Sequence, residues 1–422
     1  MHLDPAGLVA DVVPALALGA LLLVAYRHPP EWVEALAGIG CAALAAWAVG
    51  LPLGAVRAEV RELGPVVLFL VAILLVAECC RAEGLFVAIG ARLAHSSSAG
   101  RLFALTFATA AVVTVVLSLD ATVVLLTPVV LATALAVGAA ARPLQLVCVR
   151  LANSASLLLP VANLTNLLAL RSLDVTFGRF AVLMAPVWLV VLSVEYVGLR
   201  WWFRGLPANL DVPPGRREVA VPPLPRTPII VVALMLLGFA AGSAAGVQPF
   251  WVAGVAAVVL GTRALLAGRL PAADIARHAH LSFAVFVLGL GVVVAALNRA
   301  WLGDTLVDLL PRSADLAGLL VLAVVGAVLA NLVNNLPATL ILVPLAVPLG
   351  VVAVLAVLVG VNVGSSMTWT GSLANLLWRR SVVTAGGRPS SGDFHGTGLV
   401  ISPVAILLGV LVLAGWSSLL GG

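Results

Sequence analysis

Runs of about 18 or more apolar residues recur along the whole chain, and this feature limits its possible folds more than any other. A helix needs roughly 20 apolar residues to cross a bilayer. Only 10% of the 422 residues are charged, whereas a soluble domain carries roughly 25%, so this chain cannot cover a water-facing surface. Because the runs do not alternate in polarity, they predict helices and not barrel strands. The sequence therefore predicts an all-α polytopic membrane protein.

About ten segments are predicted to span the membrane, and two longer apolar regions are predicted to form re-entrant helical hairpins. The hairpins, residues 101–140 and 316–350, carry polar residues near their middles, so each tip should lie inside the protein. The predicted spans are 8–26, 31–53, 64–90, 145–171, 179–203, 228–246, 249–266, 280–298, 352–378 and 399–420.

The two halves of the sequence are related to each other. NSASLLLPVANLTNLL, which begins at Asn153, aligns without gaps to NVGSSMTWTGSLANLL, which begins at Asn362. The matched asparagines, serines and leucines predict an internal duplication. We expect a first repeat over 1–203, a Pro-rich cytoplasmic linker over 204–227, and a second repeat over 228–422.

The predicted crossings determine how the repeats are oriented. Each half holds five spans, one of them broken by polar residues at 145–171 or 352–378, and one hairpin that enters and leaves on the same side. An odd number of crossings turns the second half upside down, which is the inverted-repeat plan of secondary transporters. If the hairpin arms cross fully instead, the count becomes fourteen spans and the halves are parallel. The distribution of arginines predicts that both termini are extracytoplasmic.

Four polar clusters interrupt the apolar segments, one in each hairpin and one in each broken span. An unpaired amide or hydroxyl in hydrocarbon costs several kcal/mol, so these groups must face protein, water or a ligand. Hydrogen bonds between membrane helices would account for a single cluster. Four clusters paired by an internal repeat favour a substrate site. The clusters are Ser118–Thr122 with Thr127, Asn153–Asn166, Asn331–Thr339 and Asn362–Asn375.

Asp120 is the only carboxylate at either hairpin tip. An ionisable group at membrane depth predicts a proton or cation carrier. The alternative is an aspartate that only caps the second arm of the hairpin.

A second polar group lies near the end of span 64–90. Glu78 and Arg81 are three residues apart, which predicts an ion pair on one helix face. Adjacent Cys79 and Cys80 diverge by about 100° on a helix, so we do not expect them to bind a metal ion. The sequence has no catalytic triad, phosphate loop or metal-ligand pattern, so neither a cofactor nor enzymatic activity is expected. Most of the arginines lie in loops between the apolar spans and they form no stripe, which does not suggest binding to nucleic acid.

Four motifs resemble, in order and spacing, those of the arsenical pump membrane proteins (ArsB type) of the ion transporter superfamily. These motifs are LSLDATVVLLTPVVLA, NSASLLLPVANLTNLL, ANLVNNLPA and GSSMTWTGSLANLLW, and the resemblance runs from roughly residue 60 to residue 410. It implies a multi-pass protein of a prokaryotic cell membrane that exports arsenite or antimonite in exchange for protons. It also implies elevator-like movement. A separate ATPase subunit and a second copy of the chain are the protein partners to be tested.

When the functional positions of the family's motifs are transferred to this sequence, the resemblance implies that Asp120 couples transport to protons. The sequence departs from the family at Leu119, Trp369, Asn153 and Asn362, where arsenite pumps commonly carry asparagine, proline and two aspartates. With fewer acidic positions, proton coupling should depend more heavily on Asp120. The implied substrate-binding residues are Thr122, Asn163, Asn166, Asn334, Asn335, Thr370, Ser372 and Asn375.

The substrate class follows from the chemistry of these side chains. Arsenous acid is uncharged near neutral pH and presents hydroxyl groups, which suit a ring of Asn, Ser and Thr. A dicarboxylate would need a bound cation or an oriented helix N-terminus. A sodium- or proton-coupled dicarboxylate or anion transporter is therefore the alternative, and a passive channel is a weaker one.

Overall fold

The computed structural model describes residues 5–27, 29–96, 98–205 and 221–420, without the side chains of residues 5–8, 304 and 307. Within these ranges every regular element is a helix, which confirms the predicted all-α fold. By length and composition, eleven of the described helices could cross a membrane. Residues 206–220, most of the predicted linker, lie outside the described residues.

The helices of the first half are α1 (Pro5–Arg27), α2 (Glu31–Ala48), α3 (Leu53–Ala82), α4 (Leu85–Ala94), α5 (Ala99–Leu117), α6 (Leu119–Ala121), α7 (Thr127–Ala136), α8 (Ala141–Ser154), α9 (Leu164–Arg171) and α10 (Phe177–Trp202). Those of the second half are α11 (Arg226–Ala244), α12 (Pro249–Leu266), α13 (Ala272–His278), α14 (Leu281–Leu297), α15 (Gly303–Leu309), α16 (Leu316–Val333), α17 (Asn335–Ala346), α18 (Val351–Gly364), α19 (Leu373–Thr384) and α20 (Ser391–Leu419).

Two helices differ most from the predicted spans. Helix α3 begins at Leu53 and not at residue 64, because the polar stretch before the apolar run is also helical. It ends at Ala82, since Gly84 adopts φ 85°, a conformation that glycine tolerates and that ends a helix. Helix α20 begins at Ser391, where the Ser390 hydroxyl accepts a hydrogen bond from the backbone N–H of Asp393.

Each predicted hairpin turns at a residue with positive φ. In the first hairpin, Ser118 (φ 102°) follows the end of α5, and the chain returns through α6, a π-helical turn and α7. In the second, Asn334 (φ 78°) follows the end of α16, and the chain returns through α17. With the 3₁₀ turn that follows it, α17 extends to Leu349, a length of about 24 Å. This arm is too short for a hydrocarbon core of about 30 Å, which favours a re-entrant hairpin over a pair of full crossings.

Both predicted broken spans are interrupted by two 3₁₀ turns between helical halves. Helices α8 and α9 flank the first break, and α18 and α19 flank the second. Asn163 and Ser372 are the N-cap residues of the second halves, and each side chain accepts a backbone N–H. A Cβ on Gly371 would overlap the carbonyl oxygen of Ser365, so the second break can form only with glycine at this position.

The helices pack in two groups. Helix α14 packs on α2 and α3, α12 packs on α3, and α1 packs on α2. In the other group, α10 packs on α20, while the first hairpin arms α5 and α16 pack on α8 and α18 of their own halves. The return arms contact the broken helices of both halves: α7 contacts α8 and α19, and α17 contacts α18 and α9. Each hairpin therefore lies against the broken helix of its own half and against that of the other half.

Candidate functional site

Asparagines of the two breaks exchange hydrogen bonds. The Asn153 side-chain amide donates to Asn375 Oδ1 at 2.8 Å, and the Asn362 amide donates to Asn166 Oδ1 at 2.8 Å. Asn153 aligns with Asn362 and Asn166 aligns with Asn375, so the second bond is the first with the halves exchanged. Such a reciprocal contact is the pattern of a two-fold relationship.

Asn166 and Asn375 also bond to the backbone of the breaks that precede them. Each donates its side-chain amide to two carbonyl oxygens that the interrupted helix leaves free, and such groups are costly when unpaired at membrane depth. The acceptors are the Ser156 (2.8 Å) and Leu159 (3.1 Å) oxygens for Asn166, and the Ser365 (2.8 Å) and Thr368 (2.9 Å) oxygens for Asn375.

The two-fold pattern fails at one atom. Asn362 Oδ1 accepts hydrogen bonds from Asn163 Nδ2 at 3.0 Å and from Thr165 Oγ1 at 2.8 Å. Its counterpart Asn153 Oδ1 is buried and accepts none from the described residues. The second half has shorter side chains at the two donor positions, namely Ser372 and Ala374. The first repeat therefore supplies two donors to Asn362 Oδ1, whereas the described residues of the second repeat supply none to Asn153 Oδ1.

A small cavity lies where the hairpin tips, the breaks and the first group of helices meet. Its volume is about 50 Å³, which is enough for a few water molecules. Helices α3 and α14 supply an apolar wall, while the tips and the start of α9 supply polar groups. The lining residues are Phe69, Leu70, Ile73, Ser118, Leu119, Asp120, Val161, Ala162, Asn163, Leu164, Thr165, Phe283, Asn335, Leu336, Leu373 and Ala374.

Three polar side chains in this cavity make no hydrogen bond with any described residue. Asp120 is partly buried and its carboxylate is unpaired. Ser118 Oγ is buried without a partner at the turn of the first hairpin. The Asn335 side chain lies opposite on the second tip, and only its backbone oxygen is bonded, by Thr339 Oγ1 at 2.8 Å. Because these groups are not engaged by the protein, they are available to a ligand.

Of the residues predicted to bind substrate, the structure brings Asn163 and Asn335 to the cavity beside Asp120. The Asn163 amide is itself bonded to Ser156 Oγ at 3.2 Å and to Asn362 Oδ1 at 3.0 Å, and the other predicted residues also make contacts within the protein. Thr122 shares a hydrogen bond with Thr114 between Oγ1 atoms 2.7 Å apart, inside the first hairpin. Asn166 and Asn375 hold the breaks, as described above, and Ser372 caps α19.

Asn334 and Thr370 lie at the second tip and the second break. Asn334 caps α17 and donates to the Thr370 backbone oxygen at 3.0 Å. The Thr370 side chain is exposed and donates to the Asn331 backbone oxygen at 3.2 Å. These bonds attach the tip of the second hairpin to the break beside it.

A buried ion pair was missed by the reasoning from sequence. Arg150 on α8 donates from Nε and Nη2 to the two carboxylate oxygens of Glu195 on α10, both at 2.7 Å. Arg150 Nη2 also reaches Ser402 Oγ on α20 at 3.0 Å. Both charged side chains are at most 1% exposed. A signal was present, since each is an ionisable residue inside a predicted span.

The predicted Glu78–Arg81 ion pair is confirmed, with Arg81 Nε donating to Glu78 Oε2 at 2.8 Å. Cys79 and Cys80 beside it are buried. Among the described residues, no group of three or more His, Cys, Asp or Glu side chains could hold a metal ion.

Comparison with known proteins identifies the family. Residues 8–354 match the family described as CitMHS: Citrate transporter. The chain is 28% identical to an arsenical pump membrane protein of Escherichia coli over 316 residues, and 29% identical to one of Yersinia enterocolitica over 311 residues. Each alignment covers 70% of this chain and 72% of the relative.

A solved structure shows the same fold. The crystal structure of the Alcanivorax borkumensis YdaH transporter, described as having an unusual topology, aligns with a TM-score of 0.56 at 18% identity. The alignment covers 88% of this chain and 90% of that one. Together with the apolar helices, these matches show a multi-pass secondary transporter of the ion transporter superfamily and not an enzyme. The chain belongs to the citrate transporter family.

Proposed function

We propose that the protein exports arsenite or antimonite in exchange for protons. The observation that most supports this proposal is the polar lining of the cavity, where Asp120 is the only ionisable group and the other polar groups are hydroxyls and amides. Uncharged arsenous acid can both donate and accept hydrogen bonds with Ser118 and Asn335, and it can donate one to Asn163 Oδ1. An anion would have to bind beside Asp120 without a basic side chain in the lining.

Asp120 is the group that would carry the proton. It faces the cavity from the tip of a hairpin and has no partner among the described residues, so its protonation breaks no bond within the protein. An ionisable side chain in this position can bind a proton in one state of the hairpin and contact the substrate in the other.

We further propose that the helices move as an elevator. The cavity lies at the boundary of the two packing groups, with the apolar side chains of Phe69, Ile73 and Phe283 on one side and the hairpin tips on the other. An apolar wall offers few hydrogen bonds to break when the hairpins and broken helices slide past it. The hairpins would carry the substrate, and the first group would remain as the scaffold.

Inverted repeats over 1–203 and 228–422 are part of this proposal, and the reciprocal asparagine bonds support them. With the arginine-rich loops cytoplasmic, the first hairpin opens inward, the second opens outward and the termini are extracytoplasmic.

Cysteines introduced at Ala140 and Ser313 in a cysteine-free chain test the orientation with an impermeant thiol reagent. Labelling of Ala140→Cys only in everted vesicles and of Ser313→Cys only in intact cells is expected, and labelling of both from one side would contradict it.

The second candidate is a sodium- or proton-coupled transporter of a dicarboxylate or tricarboxylate. Two observations favour it: the family description names citrate, and the N-terminal turns of α9 and α19 both line the cavity. Helix N-termini carry partial positive charge and bind carboxylates.

Uptake into everted vesicles separates the candidates. We would assay arsenite, antimonite, succinate and citrate, each with an imposed pH or sodium gradient. Arsenite uptake driven by the pH gradient, abolished by Asp120→Asn and retained by Asp120→Glu, is the expected result. Citrate or succinate uptake without arsenite uptake would establish the alternative. Wild-type arsenite transport by Asp120→Asn would remove Asp120 from the coupling role. Co-purification tests whether an ATPase subunit or a second copy associates with the chain.

A further inference from the structure

A second cavity lies at the open end of the first hairpin, away from the candidate site. Its volume is about 280 Å³, and it is bounded by the start of α5, the loop before α8 and the C-terminal end of α10. Its apolar surface includes Leu102, Phe103, Leu144 and Leu199, all of them buried. We call this cavity the hairpin-base groove.

Two arginines at the end of α10 are the only charged residues among the described residues that line the groove. Arg200 and Arg204 are exposed, and neither forms an ion pair with a described residue. The Arg200 guanidinium lies 6.0 Å from the centre of the Phe103 ring, so it stays over the groove. It also lies beside Gly100 in the first turn of α5, where the helix end carries partial positive charge. The groove therefore combines an apolar surface with positive charge that has no counterion among the described residues.

The position of the groove indicates which anion it binds. Trp201 and Trp202 lie beside the arginines at the same end of α10, and Arg204 stacks over Trp201 at 5.3 Å. Tryptophan and arginine at the end of a spanning helix mark the headgroup level of a bilayer. A ligand held there has a negative group at the headgroup level and a hydrocarbon part directed toward the buried leucines.

We propose that the hairpin-base groove binds an anionic phospholipid. The phosphate would contact Arg200 and Arg204, and part of an acyl chain would occupy the cavity beside Leu102, Leu144 and Leu199. Basic pockets between membrane helices bind such headgroups. The lipid would join the base of the moving hairpin to α10, so its binding would stabilise the contact between α5 and α10. Nothing in this argument depends on the substrate of the transporter.

Native mass spectrometry of the full-length protein tests the proposal by titration with phosphatidylglycerol and, separately, phosphatidylcholine. We expect one phosphatidylglycerol to bind tightly and phosphatidylcholine to bind weakly. The double variant Arg200→Gln/Arg204→Gln should weaken phosphatidylglycerol binding about tenfold or more, since each arginine contributes to headgroup affinity. Arg312→Gln, an exposed arginine at the start of the second hairpin, is the matched control and should bind as wild type.

A second variant tests the apolar part while keeping both charges. Ala140→Trp places a bulky side chain in the groove and should also displace the lipid, with an unchanged unfolding temperature in lipid-free detergent. Equal binding of phosphatidylglycerol by the wild type and the double arginine variant would overturn the proposal. So would a thermal stabilisation by inorganic phosphate as large as that by the lipid, because it would show a simple anion site.

Discussion

The Asn153 side-chain amide donates a hydrogen bond to Asn375 Oδ1 across 2.8 Å, joining the two broken helices at their interruptions. The reciprocal bond from Asn362 to Asn166 has the same length. All four side chains are fully buried. The breaks of the two halves are thus held by each other, and neither can change shape without affecting the other.

Replacing Asn375 with alanine should strongly destabilise the protein. The change leaves the freed carbonyl oxygens of Ser365 and Thr368 without their side-chain donor, and it leaves the Asn153 amide with only the Val149 backbone oxygen as acceptor, at 3.3 Å. Each buried unsatisfied group costs about 1–3 kcal/mol, so the total should exceed about 2 kcal/mol. The unfolding temperature of the purified protein in detergent measures the loss. Ser193→Ala, which removes only an exposed hydroxyl bonded within α10, is the control and should change little.

A single substitution should stabilise the protein at the atom where the two-fold pattern fails. Ala374→Thr places a hydroxyl at the position equivalent to Thr165, from which it can donate to the unpaired Asn153 Oδ1. A hydrogen bond to a buried orphan acceptor contributes about 1 kcal/mol, so the unfolding temperature should rise. Thr165→Val, which removes the equivalent donor to Asn362, should lower it. A lower unfolding temperature for Ala374→Thr would indicate that Asn153 Oδ1 already has a bound water as its partner.

The hairpins and the breaks could be predicted because their signals are local. An apolar run interrupted by Ser118 and Asp120, or by Asn334 and Asn335, places the turn within a few residues of its true position. The start of α3 at Leu53 could not be found in this way, because residues before the apolar run are polar and still helical. Hydropathy indicates where a helix enters the membrane and not where it begins.

The direction in which each polar side chain points could not be predicted from the sequence. Asn163 and Asn166 have the same chemistry and lie three residues apart, yet the first lines the cavity and the second holds a break. The difference depends on the rotation of α9, because both side chains bond to Asn362, a residue 196 positions from Asn166. The Arg150–Glu195 pair likewise depends on how α8 packs against α10, which no pattern in the sequence specifies.

Asn335 and Asn166 should therefore respond differently to the same substitution. Asn335→Ala removes a side chain with no hydrogen bond to a described residue, so the unfolding temperature should remain close to that of the wild type while substrate transport falls. Asn166→Ala should lower the unfolding temperature, since the Ser156 and Leu159 oxygens and the Asn362 amide lose their partner. Transport kinetics and thermal unfolding of both variants measure the contrast. Normal transport by a stable Asn335→Ala protein would place the substrate elsewhere.

The N-cap of the second hairpin should show a dependence on pH. Asp315 accepts hydrogen bonds from the Gly318 backbone N–H at 2.7 Å and from Ser313 Oγ at 3.0 Å. These bonds, the backbone one foremost, lower the pKa of Asp315 below its ordinary value. A lowered pKa in the folded state means that the stabilisation is present above the unfolded-state pKa, about 3.9, and is lost as the pH falls through the folded-state pKa.

Hydrogen exchange of the first turn of α16 measures this effect, relative to the interior of the same helix. Protection should fall in the wild type when the pH is lowered from 6 toward about 2, the range in which a carboxylate with a lowered pKa is protonated. Asp315→Asn keeps a capping oxygen that does not titrate, so its protection should not change with pH. An equal loss of protection in that variant would assign the effect to another group.

Removing one partner of the Arg150–Glu195 pair should destabilise the protein more than replacing both partners with apolar side chains. Removing one partner by Arg150→Met or Glu195→Leu leaves an uncompensated charge in a site that is at most 1% exposed, and such changes cost about 3–5 kcal/mol. The double variant Arg150→Met/Glu195→Leu removes both charges together, and replacement of a whole buried pair by apolar side chains is often neutral. We therefore expect the unfolding temperature of the double variant to exceed that of either single variant. Additive losses in the double variant would show that the two side chains act independently, with Ser402 or another group as the main partner of Arg150.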